Sequence, residues 1–319
     1  MTRLSLRLRA AASRLTRAAL GATLGLGLTL AVVDRAAFAG EVAPVAPAAA
    51  APSTGPALWV VKDEDSTIYL FGTVHLLRPD TIWRTPAFDA ALAASDEVYL
   101  EITEIDQPEV MQPLVMRYGM AAEGQGLSTY LDDQDEGRLD AAARSVGATG
   151  AAFEPMRPWL AAMQVTVAGV VKSGYDPTSG VDLRILSAAK EAGKPVKGLE
   201  TAEQQLQFFS TLPDEVQVDF LRQSLESFEN GADLLDAIVT GWSAGDVASI
   251  EANIIDEMKE WGSLYDILLV RRNTDWADQI ETMLEGSGTT FIAVGAGHLV
   301  GDDSVQEILQ DRGVVAVRQ

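Results

Sequence analysis

The sequence predicts an α/β (α+β) protein: a central mixed β-sheet built from N- and C-terminal strands, flanked by helices, with a large helical middle segment. Three observations predict it. Short apolar runs bounded by turn residues lie near both ends of the folded region, at residues 59–61, 67–71 and 289–294, and read as strands. Between about Gln107 and Leu284 the apolar residues recur at three- and four-residue spacing, which is the helical period. The folded region is about 260 residues long in a chain with 47% hydrophobic residues, enough for one α/β domain with a sizeable core.

The elements follow in order. Five arginines, Arg3, Arg7, Arg9, Arg14 and Arg17, precede an apolar run from Ala18 to Val33, and Ala37-Phe38-Ala39 fits a small-x-small cleavage signal. The run is shorter than the about 20 apolar residues a membrane span needs. Residues 1–39 therefore read as a signal peptide for general export, with a periplasmic or secreted product and no stable membrane insertion after cleavage. Residues 40–57 are an alanine- and proline-rich tether of low complexity, too poor in bulky apolar side chains to fold. The domain then spans 58–319. Trp59–Lys62 and Thr67–Phe71, joined by Asp-Glu-Asp-Ser, read as a β-hairpin. A helix over 87–94 leads to a short strand, Glu97-Val-Tyr-Leu-Glu101-Ile. Gly180 opens a helix that stops at Gly193, and Lys194–Glu200 reads as a further strand. Thr201 with Gln204 fits a capping box at the next helix start. The C-terminal unit is a strand over 289–294, a turn carrying His298, a helix over 302–310 and a strand over 313–317.

Charge and composition exclude several functions. Loss of residues 1–39 leaves 18 basic and 45 acidic residues, a net charge of −27. Such a surface repels nucleic acid, whose phosphates need a basic footprint. Cysteine is absent, so neither disulfides nor thiol nucleophiles occur. The chain has no H-E-x-x-H zinc helix, no G-x-S-x-G elbow and no G-x-x-x-x-G-K-[ST] phosphate loop.

What remains is a pair of histidines. The chain has only two, and both follow an apolar strand through the same G-x-x-H pattern: Gly72-Thr-Val-His75-Leu and Gly295-Ala-Gly-His298-Leu. Imidazole is a general base and the commonest metal ligand, so two in matched settings point to one site. Two imidazoles alone make a weak metal site, and a carboxylate is needed to complete it. Glu101 and Glu200, each just beyond an apolar strand, are the candidates, since functional side chains gather at strand ends in α/β sheets. On spacing alone either is equally an exposed strand-end acid. Arg272 and Asn273 fall in a charge-rich helix where solvated pairing is the default, and Asp182 reads as an acid favoured by a helix N-terminus. Trp159 and Trp242 read as packing residues.

The paired motifs Gly72/His75 and Gly295/His298 with Glu101, together with Gly180-Val-Asp-Leu, Gly193-Lys-Pro-Val-Lys-Gly-Leu-Glu200-Thr and Arg272-Asn273, resemble the TraB/GumN family, related to Tiki metalloproteases. The resemblance spans 58–319. It implies a fold like that of erythromycin-esterase and ChaN-like proteins, and a metal-dependent hydrolase, most plainly a peptidase acting on a peptide or protein substrate. The implied cofactor is a divalent ion (manganese, cobalt or zinc) held by His75, His298 and Glu101, with Glu101 or Glu200 as general base. Arg272, Asn273, Gly72 and Gly295 would then support the metal or the substrate. Two other functions stay open: a metal-independent histidine–glutamate esterase, and a non-catalytic protein that sequesters peptides.

Overall fold

The computed structural model describes residues 55–228 and 231–319, so the expected signal peptide and almost all of the expected tether lie outside the described residues. A six-stranded mixed sheet forms the centre, in the order β4-β3-β5-β2-β1-β6. Its strands are β1 (Leu58–Lys62), β2 (Ser66–Thr73), β3 (Glu97–Leu100), β4 (Val196–Gly198), β5 (Gly288–Gly295) and β6 (Ala316–Arg318). The predicted hairpin β1–β2 pairs antiparallel, with Val60 opposite Tyr69, and the C-terminal β6 closes on the outer side of β1. The other four strands, β4, β3, β5 and β2, run parallel. The sheet thus unites both ends of the chain as expected, and adds two strands from its interior.

The central strands are buried on both faces, which is usual for parallel strands covered by helices. Side chains alternate with a period of two. Phe291 and Ala293 of β5 join Phe71 in the larger core, whereas Ile292 and Val294 join Ile68 and Leu70 in a smaller core on the opposite face. Helices of seven residues or more are α1 (Pro86–Ala94), α2 (Pro108–Gly119), α3 (Asp133–Ser145), α4 (Pro158–Lys172), α5 (Val181–Glu191), α6 (Ala202–Ser210), α7 (Asp214–Ser227), α8 (Gly231–Ser243), α9 (Arg271–Leu284) and α10 (Val305–Asp311). No helix of the described residues is long and apolar enough to cross a membrane.

Local chemistry explains the helix starts nearest the site. Thr85 caps α1 by accepting from the Phe88 N–H, with Pro86 in the first turn, where its missing N–H costs nothing. Phe88 then packs edge-on against Phe291 and beside Phe71, a burial that stabilises by roughly 2–3 kcal/mol. The predicted capping box at α6 is formed in both directions, Thr201 with Gln204. Ahead of α9 the chain makes a π-helical turn over Asp266–Val270, a widening often found at functional sites. The two tryptophans read as packing residues do pack: Trp159 stacks on Phe209, and Trp242 is buried with its indole N–H donated to Gly72 O at 2.7 Å.

Candidate functional site

The carboxyl ends of four adjacent parallel strands gather the predicted residues. Glu200 follows β4, Glu101 follows β3, His298 follows β5 and His75 follows β2. Ligand sites of open α/β sheets lie at this edge. The two histidine motifs are adjacent, but they are not in register: Gly72 stands opposite Val294, and Thr73 opposite Gly295. Gly72 lies inside β2 rather than in a turn, and neither Gly72 nor Gly295 has a positive φ. At Gly72 the two strand ends approach closely: a Cβ there would sit a tight 3.1 Å from Ala296 Cα. Gly295 instead contributes its N–H, donated to Glu101 Oε1 at 2.7 Å.

The two imidazoles have different surroundings. His75 is buried, and its Nδ1–H donates to Asp182 Oδ2 at 2.5 Å. The other oxygen of Asp182 accepts from Thr73 Oγ1 at 2.6 Å. A carboxylate only accepts, so the proton sits on Nδ1 and the lone pair on Nε2. That Nε2 is buried and has no hydrogen-bond partner. Burial lowers the His75 pKa, but the Asp182 carboxylate outweighs burial, and the net pKa is raised above 6.5.

His298 has no accessible surface, and both its nitrogens are engaged. Asn273 Nδ2 donates to Asp303 O, which turns its Oδ1 toward the imidazole, and His298 Nδ1–H donates to that oxygen at 2.6 Å. Its Nε2 accepts from Arg272 Nη1 at 3.1 Å, and the Trp276 ring lies 4.4 Å away.

Arg272 joins the rest. Its Nε donates to Glu200 Oε1 at 2.7 Å, and its Nη2 donates to Glu200 Oε2 at 2.8 Å and Glu101 Oε2 at 2.7 Å. Its Nη1 donates to His298 Nε2 and to Leu268 O, the latter at 3.1 Å. These contacts use all five guanidinium N–H groups. Gln205 Nε2 adds a bond to each carboxylate, both at 2.9 Å. Burial alone would raise the Glu101 pKa, but Arg272 above all holds it down to about 2. Burial would lower the Arg272 pKa, but the Glu200 and Glu101 carboxylates outweigh it and push it upward.

These contacts correct two expectations. Arg272 and Asn273 are not solvated: they are 1% and 0% exposed and hold the site together. Asp182 is not merely an acid at a helix start but the partner of His75. The peptide before it is pinned because Gly180 passes so close that a Cβ would meet His75 O at 2.4 Å. Asp182 was visible in the motif Gly180-Val-Asp. Nothing in the sequence marked Gln205, which sits in the first turns of an ordinary capped helix, or Thr73.

The side chains as arranged do not fit the three-ligand metal set. The His298 Nε2 lone pair is taken by Arg272, and Glu101 accepts from a guanidinium, an amide and a backbone N–H. A full positive charge also lies among the proposed ligands. Among the described residues no group of three or more histidine, aspartate or glutamate side chains is arranged to hold a metal ion.

Comparison with known proteins finds sequence relatives of the chain. The family model described as TraB/PrgY/gumN matches residues 57–318. "Uncharacterized protein YbaP" of Escherichia coli (strain K12) is 25% identical over 259 residues, 81% of this chain and 93% of that protein. An "Uncharacterized protein" of Treponema pallidum (strain Nichols) is 19% identical over 268 residues, 80% of each chain. No solved structure matches.

Proposed function

The chain belongs to the TraB/PrgY/gumN family, and we propose that it is a hydrolase of peptide or ester carbonyls in which His75 is the general base. One observation carries the reading: a buried imidazole whose Nδ1–H is held by Asp182 while Nε2 keeps an unpartnered lone pair. That is the arrangement by which a carboxylate fixes an imidazole tautomer and steadies its charged form. A pKa raised above 6.5 suits proton transfer near neutral pH.

In this mechanism His75 Nε2 takes a proton from water as the water oxygen bonds to the substrate carbonyl carbon. Asp182 stabilises the resulting imidazolium. The imidazolium then gives the proton to the departing amine or alkoxide as the bond to the carbonyl carbon breaks. One water is consumed, and an acid and an amine or alcohol leave. Glu101 does not serve as base here, because a carboxyl held down to about 2 has little affinity for a proton at neutral pH. Nor does Arg272 serve as an oxyanion donor, since its five N–H groups are committed. Arg272 and Glu101 are instead positioning residues that fix His298 and the ends of β3 and β5.

The signal peptide expected at 1–39 would put this action in the periplasm or outside the cell. A net charge of −27 on the exported chain favours basic peptides as the first substrates to try. Incubating the exported domain with peptide and ester libraries and reading products by mass spectrometry tests the function. Cleavage by the native protein, absent with His75→Ala, is expected. Peptides recovered intact from a tight complex would replace hydrolysis with sequestration.

A further inference from the structure

A cavity of about 230 Å³ lies beside the smaller core, between β1, β6, α10 and the residues that follow His298. Pockets for drug-sized molecules run from roughly 300 to 1,000 Å³, so this one suits a single small metabolite. Its buried lining is apolar, with Trp59 and Leu299 supplied by the smaller core. Polar groups make up the rest. In α10, Val305 and Leu309 turn into the core, so Gln306, Glu307 and Gln310 share a neighbouring face and line the cavity. Glu251 opens a π-helical turn (Glu251–Ile255), and a Cβ on Gly301 would sit 3.4 Å from its Oε1. Arg318 of β6 is anchored by donating Nη2 to Gly245 O.

These groups share one cavity yet do not satisfy one another. Among the described residues neither Glu251 nor Glu307 is in an ion pair, although Arg318 lines the same space. The Gly245 contact uses one of the five N–H groups of Arg318. Gln306 donates Nε2 to Leu299 O at 2.5 Å, and its Oε1 is buried with no hydrogen-bond partner. A buried acceptor in a cavity wall calls for a donor, and an ammonium is one.

We propose that this cavity is a binding site for a free basic amino acid of the lysine or arginine class. The charges select the ligand. Two carboxylates and one guanidinium sum to −1, and a basic amino acid carries one carboxylate and two cationic groups, a net +1. Its carboxylate pairs with Arg318, its cationic groups with Glu251 and Glu307, and its methylene stem lies against Trp59 and Leu299. Gln306 Oε1 accepts an N–H from the ligand. The site is separate from His75, and binding there requires no turnover at that histidine.

Isothermal titration of the protein with L-lysine and then L-arginine tests the site. Norleucine, which is lysine without its side-chain ammonium, and cadaverine, which is lysine without its carboxylate, serve as probes of the two charges. We expect one equivalent of a basic amino acid to bind, with norleucine and cadaverine each weaker by about tenfold or more. Amide NMR should show the bound ligand at Leu299, Val300 and Gly301. Glu307 and Arg318 are exposed, so Glu307→Gln and Arg318→Gln should fold, and each should weaken binding about tenfold. Where Arg318→Gln melts early because Gly245 O loses its donor, Glu307→Gln decides. No heat and no amide shift with either amino acid at about 10 mM overturns the proposal, because that excludes even millimolar affinity. Cadaverine binding as tightly as lysine overturns it too, by reducing the effect to a cation on an acidic surface. So does equal binding of norleucine, or affinity unchanged in Glu307→Gln.

Discussion

Replacing Glu101 with glutamine tests the electrostatics of the site with little change of shape. The side chain keeps its volume and loses its charge. Glu101 accepts from Gly295 N and Arg272 Nη2, both at 2.7 Å, and from Gln205 Nε2 at 2.9 Å. A glutamine has one accepting end, so its NH2 must face at least one of these donors. Two routes give the size of the loss. Breaking one partner of a buried ion pair costs about 3–5 kcal/mol. Independently, the carboxyl falls from an ordinary 4.5 to about 2 on folding. At ~1.4 kcal/mol per pH unit this corresponds to about 3 kcal/mol. The sign follows from the depression. The stabilisation is fully present above pH 4.5 and is lost as pH falls toward about 2, where a protonated Glu101 resembles the glutamine. Urea denaturation of both proteins between pH 7 and pH 2.5 measures it. We expect Glu101→Gln to be weaker by about 3 kcal/mol at pH 7, with the gap closing through the acid range. A gap below about 1 kcal/mol at neutral pH, or one that does not change with pH, refutes the assignment of Arg272 and Glu101 as a stabilising pair.

Other outcomes follow from the same contacts. Asp182→Asn removes the acceptor that fixes the His75 tautomer, and should lower kcat on a cleaved substrate by ~10³–10⁴-fold with KM little changed; steady-state kinetics reads the split. Gly72→Ala places a Cβ 3.1 Å from Ala296 Cα, where backbone must give way, and should cost about 1–3 kcal/mol in thermal denaturation. Asp236 accepts from Arg78 at 2.9 Å and from the Tyr175 hydroxyl at 2.5 Å. Burial pushes its pKa up, and these two donors outweigh burial and lower it. Asp236→Asn should therefore cost stability at neutral pH, an effect that fades as pH falls below the ordinary carboxylate range. Because Arg78 and Asp236 are 39% and 48% exposed, the loss should stay under about 1 kcal/mol; denaturant titrations at pH 7 and pH 3 compare the two states.

The fold was legible because its signals are local. The apolar runs of β2 and β5, the Thr201 capping box and the apolar period of the middle segment each report on a few neighbouring residues, and the sheet unites N- and C-terminal strands as expected. The site was legible only in outline. His75, His298, Glu101 and Glu200 announce themselves as rare or strand-end residues, and parallel pairing brings their strands side by side. What the sequence hides is which long-range partner each takes. Arg272 lies 72 residues from Glu200 and 171 from Glu101 in the chain, and helical charge patterning made it look solvated. A π-helical turn, Asp266–Val270, immediately precedes α9, and no periodicity announces it. Likewise the two G-x-x-H motifs look equivalent as strings, yet they sit one residue out of register on β2 and β5, and both imidazoles are buried with different partners.

The central claim is that His75 presents a bare Nε2 while His298 is locked, and nitrogen-15 NMR of the imidazoles tests it directly. With only two histidines in the chain, the ring signals of labelled protein are few enough to assign with His75→Ala alone. At alkaline pH, where both rings are neutral, we predict that each carries its proton on Nδ1. Cobalt or zinc should leave the His298 Nε2 signal in place. A proton on Nε2 of His75, or a His298 Nε2 that shifts on binding metal, would contradict the account.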